Sequence, residues 1–230
     1  MGRSGALYGG VVDAAGYFEN MRFASELTPR LQLDALEPVD LDAVFAIDSD
    51  PRTWTHLPRA RIVDRRLTEE MLSMVDRSWS EHGLGSWIVR LRHDMALPGL
   101  EPEIIPGLEP GMMVGSGGVN LFPAGKHGAF WNLGYRLHPD CWGYGLATEL
   151  SIYAIRCAQT VRPEAPVIAR VLSTNPASVA VAQKAGLRVM WEGEPAEATC
   201  KVLDGVQANR IILADRRPSA KVLDWLVSLG

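Results

Sequence analysis

Between Phe130 and Val161 the pattern turns from strand-like to helical, and a glycine-bearing loop spans the change. Phe130 to Leu137 reads as a strand closed by His138-Pro139-Asp140. Leu146, Leu150, Tyr153, Ala154, Cys157 and Val161 then share one helical face. A strand feeding a long amphipathic helix fits a layered fold in which helices cover a sheet. The loop itself runs Trp142-Gly143-Tyr144-Gly145-Leu146-Ala147-Thr148. Its glycines let the backbone turn tightly and bring successive N–H groups toward one point. The helix behind them adds unsatisfied N–H groups and a partial positive charge. Such a place suits a phosphate or pyrophosphate. Glycine pairs before helices also occur as plain turns, so the loop alone leaves a purely structural role open.

Two familiar phosphate loops are excluded. A dinucleotide fingerprint requires a third glycine and an acid at the end of the next strand, which here ends Val171-Leu172-Ser173-Thr174. A Walker loop requires Gly-Lys-Ser/Thr, which occurs nowhere in the 230 residues.

The remaining chain alternates strands and helices, which places it in the α/β (α+β) class as one domain over residues 26–217. Residues 1–25 are Gly- and Ala-rich without a clear period and read as an N-terminal extension. Arg30 to Leu36 alternates as a strand, and Pro38 and Asp40 introduce a helical segment in which Leu41, Val44, Phe45 and Ile47 share a face. From Thr68, residues Met71, Leu72, Val75 and Trp79 mark an amphipathic helix ending near Gly83. Further strands are expected at 86–91, 113–121, 167–172, 187–191 and 210–213, with a helix at 176–185 and a hairpin turn at Asp204-Gly205. Residues 218–230 form a tail or a short docking helix. The Pro/Gly-rich insertion 93–111 carries Pro-Gly-Leu-Glu-Pro twice, too few copies for a solenoid. It reads as an exposed hairpin, or as a flap over a pocket or a dimer contact.

Charge and cysteine usage narrow the function classes. Twenty-three Lys and Arg against 27 Asp and Glu leave a net charge of −4, which offers no footprint for a nucleic-acid backbone and is mildly compatible with a cationic substrate. No run approaches the roughly 18 apolar residues of a membrane span. Cys141, Cys157 and Cys200 are odd in number and scattered, so neither a disulfide framework nor a metal site is expected, and a cytoplasmic location follows.

The second half of the chain makes the loop specific. Asn175-Pro176-Ala177-Ser178 opens a helix that closes at Lys184-Ala185-Gly186-Leu187. Together with the loop, this resembles the GCN5-related N-acetyltransferases (GNAT), in the RimJ/RimL-like branch acting on ribosomal-protein N-termini. That family's Q/R-x-x-G-x-G/A motif is matched from Trp142 to Ala147, with Trp at the opening position. Its N-x-x-S and E/Q-K-x-G-F patterns are matched by Asn175, Ser178, Gln183, Lys184, Gly186 and Leu187. Gly134-Tyr135-Arg136-Leu137-His138-Pro139 is similar to the branch's G-Y-x-L-x-P. The resemblance spans about Thr28 to Arg216. It implies a mixed, mostly antiparallel central sheet flanked by helices, acetyl-CoA as acyl donor, an amine acceptor, and a monomer or homodimer.

Position by position, the resemblance implies that backbone groups of Tyr135, Arg136 and Leu137 pair with the pantetheine arm like an added strand. The N–H groups of Trp142, Gly143, Tyr144, Gly145, Leu146, Ala147 and Thr148 would hold the pyrophosphate. Asn175, and with it Ser178, would bond the arm from the other side. Asn175 before Pro176 is also an ideal helix cap, and Tyr135 and Trp142 also suit a core.

The groups that move protons are harder to assign. Attack on a thioester needs an unprotonated amine, a donor for the carbonyl oxygen, and a proton or hydrogen bond for the departing thiolate. Many relatives carry Glu two residues before the Gly-Tyr of the central strand, where this chain has Asn132. Asn132 cannot act as a base but can orient an amine or a water. Many also carry an acidic Tyr where this chain has Ala182, which leaves Ser178 or a water to protonate the thiolate. Glu149 suits a buried, bonded role better than base work. His56, His82 and His138 suit surface or capping positions. Cys141 lies near a helix start, which can lower a thiol's pKa, but no base is placed beside it. Direct attack in a ternary complex is therefore favoured over covalent catalysis. Arg59, Arg61, Arg65 and Arg66 form a solvated face or touch an acidic partner or a CoA phosphate. The function expected is an acetyl-CoA-dependent N-acetyltransferase for a protein α-amine or a small-molecule amine. The alternative is a CoA-binding regulatory domain that has lost catalysis.

Overall fold

The computed structural model describes residues 22–92 and 107–229. Its sheet comprises β1 (Ser25–Leu27), β2 (Leu31–Ala35), β3 (Ser86–Leu91), β4 (Met113–Pro123), β5 (Ala129–Leu137), β6 (Val167–Leu172), β7 (Arg188–Gly193) and β8 (Arg210–Ala214). The eight strands are ordered β1-β2-β3-β4-β5-β6-β8-β7. Every neighbouring pair is antiparallel except β5 and β6. The helices are α1 (Leu41–Asp48), α2 (Arg65–His82), α3 (Leu146–Val161), α4 (Pro176–Lys184), α5 (Glu197–Leu203) and α6 (Ala220–Ser228). This is the mixed, mostly antiparallel sheet flanked by helices that the sequence implies.

Alternation along β5 organises the layers, because successive side chains point to opposite faces. Trp131, Leu133 and Leu137 join the cluster that contains Leu146, Leu150 and Ala154 of α3. Phe130 faces the other way, packing with Val222 and Leu226 of α6 and lying 5.8 Å from the Trp225 ring. In a third cluster, Ile88 of β3 meets Leu36, Val44 of α1, and Leu72 and Val75 of α2. Fully buried residues such as Leu150 contribute roughly 1.5–3 kcal/mol each.

Helix ends follow local chemistry. Asp64 caps α2 by accepting from the Arg66 amide, and Gly83 ends it in the left-handed region at φ 66°. The segment before β8 differs from the expected hairpin. Asp204 (φ 49°) and Gly205 (φ 82°) do adopt left-handed conformations, but they terminate α5, with the Asp204 amide donating to the Cys200 carbonyl at 3.1 Å. A positive φ serves a helix C-terminus as well as a tight hairpin. The Glu197–Lys201 ion pair, one helical turn apart at 2.9 Å, is a helical signal in the same stretch.

Sheet structure also begins ahead of residue 26. The Phe23 carbonyl accepts from the Trp87 indole at 2.8 Å, and β1 starts at Ser25. Within the Pro/Gly-rich insertion, Leu108 is buried and the Gly111 amide donates to the Leu91 carbonyl at 2.8 Å. Residues 93–106 of that insertion and most of the N-terminal extension lie outside the described residues. Among those described, no helix is long and apolar enough to cross a membrane.

Candidate active site

The sheet opens at its parallel pair. Only Trp131 with Val167 and Asn132 with Ile168 are in register between β5 and β6. Beyond them β5 stays with β4 as far as Leu137 opposite Gly115, while β6 stays with β8. Among the described residues, the stretch from Leu133 to Leu137 therefore has no strand partner on its β6 side. A cavity of about 210 Å³ lies in this opening, lined by Leu133, Tyr135, Arg170, Asn175, Ser178 and Ala182 among others.

The glycine loop follows β5 directly. Gly143 (φ 90°) and Gly145 (φ 77°) are both left-handed, a conformation that costs other L-residues about 1–2 kcal/mol. Gly145 is the N-cap of α3 and provides no side-chain cap. The amides of Leu146, Ala147 and Thr148 make up the first turn, where no intrahelical acceptor exists. Trp142 is half exposed, and its indole donates to the Leu137 carbonyl at 3.1 Å, tying the loop to the end of β5.

Glu149 holds the loop from behind. Its carboxylate accepts from the Thr28 hydroxyl at 2.6 Å, the Arg30 amide at 2.8 Å and the Arg30 Nε at 2.8 Å. Arg30 Nη1 in turn donates to the Tyr144 carbonyl at 2.7 Å. In a trans peptide the carbonyl and the following N–H point in opposite directions, so this bond turns the Gly145 N–H away from Arg30. Glu149 thus positions the loop through Arg30, in keeping with its expected bonded role.

On the far side of the opening, Asn175 caps α4 by accepting from the Ser178 amide at 3.1 Å. The cap role is therefore real, while its Nδ2 makes no hydrogen bond among the described residues. The Tyr135 hydroxyl is buried and has no partner at hydrogen-bond geometry. Burial pushes its phenol above the ordinary tyrosine value, and neighbouring Ser178 pulls it partly back. Close approach of β4 accommodates this residue: a Cβ at Gly117 would fall 2.5 Å from Tyr135 Cβ. The sequence offers Tyr135 for its backbone; its side chain adds a protonated hydroxyl beside Ser178 and Ala182.

Arg136 contributes differently from its neighbours. Its side chain lies 3.2 Å from the Asp48 carboxylate, donates to the Thr53 carbonyl at 2.9 Å, and sits 3.7 Å above the Trp54 ring. Burial holds the Asp48 carboxyl above its usual range despite the opposing pull of Arg136 and Thr68. Arg136 therefore clamps α1 and the following turn onto β5, leaving its backbone for any ligand. His56, expected at the surface or in a cap, instead stacks on Trp54 and lines the smaller cavity. Burial, then Arg136, lowers its pKa. His82 ends α2, and His138 caps a turn, accepting from the Asp140 amide at 3.4 Å.

A second, larger cavity of about 800 Å³ contains Asn132. Asn132 and Ser178 are thus placed in different cavities. Gly134 and Tyr135 line both, so the two spaces border the same stretch of β5. Gly134 is exposed, and the nearest atom to a Cβ built there is Asn132 Nδ2 at 3.9 Å. The outward-facing Met71 and Met74 of α2 line the larger cavity, which a periodic apolar pattern cannot distinguish from a packed stripe.

Other candidates resolve into structural roles. Burial, followed by Asp140, pushes the Cys141 thiol up to about 12. A nearby helix start therefore does not activate it, and neither cavity includes a cysteine among its described lining residues. Arg59 pairs with Asp204, Arg65 with Asp42 and Arg66 with Asp64 on the surface.

Comparison with known proteins converges on one family. The model of the acetyltransferase (GNAT) domain matches residues 30–188. An acetyltransferase from Agrobacterium tumefaciens str. C58 is similar in fold, with TM-score 0.60, 19% identity, and coverage of 94% of this chain and 100% of that one. The ribosomal L7/L12 α-N-protein acetyltransferase RimL, solved with coenzyme A, gives TM-score 0.59 at 14% identity, covering 84% and 98% of the two chains. The microcin C7 self-immunity acetyltransferase MccE, solved with acetyl-CoA and AMP, gives 0.55 at 13% identity over 81% and 92%. At these identities the structures speak for the fold, and the family model for membership: the chain belongs to the GNAT family of N-acetyltransferases.

Proposed function

We propose that this protein transfers an acetyl group from acetyl-CoA to a primary amine, either a protein N-terminal α-amine or a small-molecule amine, by direct attack in a ternary complex. The observation that carries the reading is the open edge of β5 leading straight into an uncapped helix N-terminus. An extended arm can add to such an edge through main-chain hydrogen bonds, and the pyrophosphate then meets the amides from Trp142 to Thr148. RimL with coenzyme A and MccE with acetyl-CoA support this choice of donor. Asn175 and Ser178 would bond the arm from α4.

The acceptor would enter the larger cavity and meet the thioester near Gly134. Asn132 orients the amine there. A main-chain N–H of β5 stabilises the developing oxyanion. The leaving thiolate receives a hydrogen bond from Ser178 or from the Tyr135 hydroxyl, which burial keeps protonated. No acetyl-cysteine intermediate is required. The scattered free cysteines fit a cytoplasmic setting.

Asn132 and Ala182 support a second reading, a CoA-binding regulatory domain without efficient catalysis. Free-thiol release from acetyl-CoA across an amine panel separates the two. Acceptor-dependent release supports transfer; CoA binding without release by any amine supports the regulatory reading.

A further inference from the structure

We infer that the acceptor is a monoamine with a bulky apolar body, bound in its neutral form, rather than a polyamine or an amino sugar. This rests on the acetyl-transfer reading and concerns the larger cavity. Its volume of about 800 Å³ suits an organic molecule of substantial size. Its walls include Met71, Met74 and Val75 of α2, Leu36, Val44 and Phe122. Unbranched methionines adapt to varied apolar shapes.

The polar groups in the cavity are largely committed elsewhere. Ser78 Oγ donates to the Leu84 carbonyl at 2.7 Å and accepts from the Leu121 amide at 3.2 Å. Asn120 makes both of its side-chain bonds to Ser86, at 2.9 and 3.2 Å. Asp48 is engaged by Arg136. The Glu81 side chain is 59% exposed and lies beside His82. Arg162 is paired with Glu164 at 2.7 Å, and Arg77 adds a further positive charge to the lining. By contrast, the Asn132 amide has no hydrogen-bond partner among the described residues and lies beside Gly134, which borders both cavities.

A second ammonium deep in this space would lose water without gaining a buried free carboxylate, since Glu81, the described lining carboxylate outside an arginine pair, is largely exposed to solvent, an unfavourable exchange. A single amine can approach Asn132 neutral, because desolvation lowers an amine's pKa. The chain's acidity therefore reaches this cavity, among the described lining residues, as the arginine-paired Asp48 and the solvent-exposed Glu81.

The test compares phenethylamine, a tripeptide beginning with Phe, a tripeptide beginning with Ser, spermidine and kanamycin. Thiol release and calorimetric binding to the CoA-loaded protein are both measured. Phenethylamine and the Phe peptide should exceed the other three at least tenfold in kcat/KM, and the better of the two identifies the source of the apolar amine. Met74→Lys, at an exposed helix position, should lower kcat/KM for the apolar amines about tenfold and leave acetyl-CoA affinity unchanged. A preference for spermidine or kanamycin overturns the inference while leaving acetyl transfer standing. Binding of phenethylamine that Met74→Lys weakens, without thiol release, supports the cavity's selectivity and overturns the transfer reading. Equal binding of all five probes overturns the inference.

Discussion

The two cavities that share Gly134 in their linings are built by different means. The smaller one borders an unpaired strand edge, and the main chain beyond its lining continues into left-handed glycines and a helix N-terminus. The larger is framed by side chains from α1, α2 and the sheet, with flexible methionines on one wall. Backbone recognition suits a donor whose pantetheine and phosphates do not vary. Side-chain walls can change with the acceptor while the fold stays the same.

The sharpest way to break this contrast is to add a side chain where we propose that the main chain reads phosphate. Gly145→Glu places a carboxylate at a left-handed position beside the first turn of α3. Acetyl-CoA affinity should fall at least 100-fold by calorimetry, about 2.7 kcal/mol or more. The backbone cost of about 1–2 kcal/mol should lower Tm by only a few degrees. Unchanged affinity would show that the loop does not hold the donor.

Gly134→Val attacks the shared lining. The backbone there does not require glycine, and the new side chain would project toward Asn132. A fall in kcat of about tenfold, with acetyl-CoA affinity within about twofold, is expected from mispositioning at that lining. Equal losses in both would place Gly134 in donor binding instead.

The same contrast explains what the sequence makes legible. Gly143, Gly145 and Asn175 are visible because a left-handed turn and a helix cap restrict residue type. Met71 and Met74 have the spacing of an ordinary buried stripe, and nothing local reveals that α2 leaves space beneath them. The Arg136–Asp48 clamp joins positions far apart in the chain, so only folding brings it into view. Tyr135 is named correctly for its strand, but the isolation of its hydroxyl depends on β4, β5 and α4 together. At Asp204-Gly205 the conformation is legible and the element is not, because a hairpin and a helix end share the same need for positive φ.

Proton handling gives a further test. Asn132 cannot titrate, Tyr135 is shifted upward and stays protonated near neutrality, and His56 is shifted downward and stays neutral there. The pH dependence of kcat/KM should therefore rise with the acceptor's own deprotonation, reaching a plateau above pH ~8 for a peptide α-amine. A plateau that stays fixed when amines of different pKa are compared would indicate an enzyme base.

Tyr135→Phe should have the smallest effect. Removing a buried, unpartnered hydroxyl should leave Tm unchanged or slightly higher. If the hydroxyl assists the thiolate, kcat should fall several-fold at constant acetyl-CoA affinity. An unchanged kcat would leave Ser178 as the donor.

Initial rates measured with both acetyl-CoA and an active amine varied test the central claim most directly, that the two substrates occupy separate cavities at the same time. Double-reciprocal lines that intersect are predicted, because both substrates must be bound before transfer. Parallel lines, the signature of an acetyl-enzyme intermediate, would contradict the account.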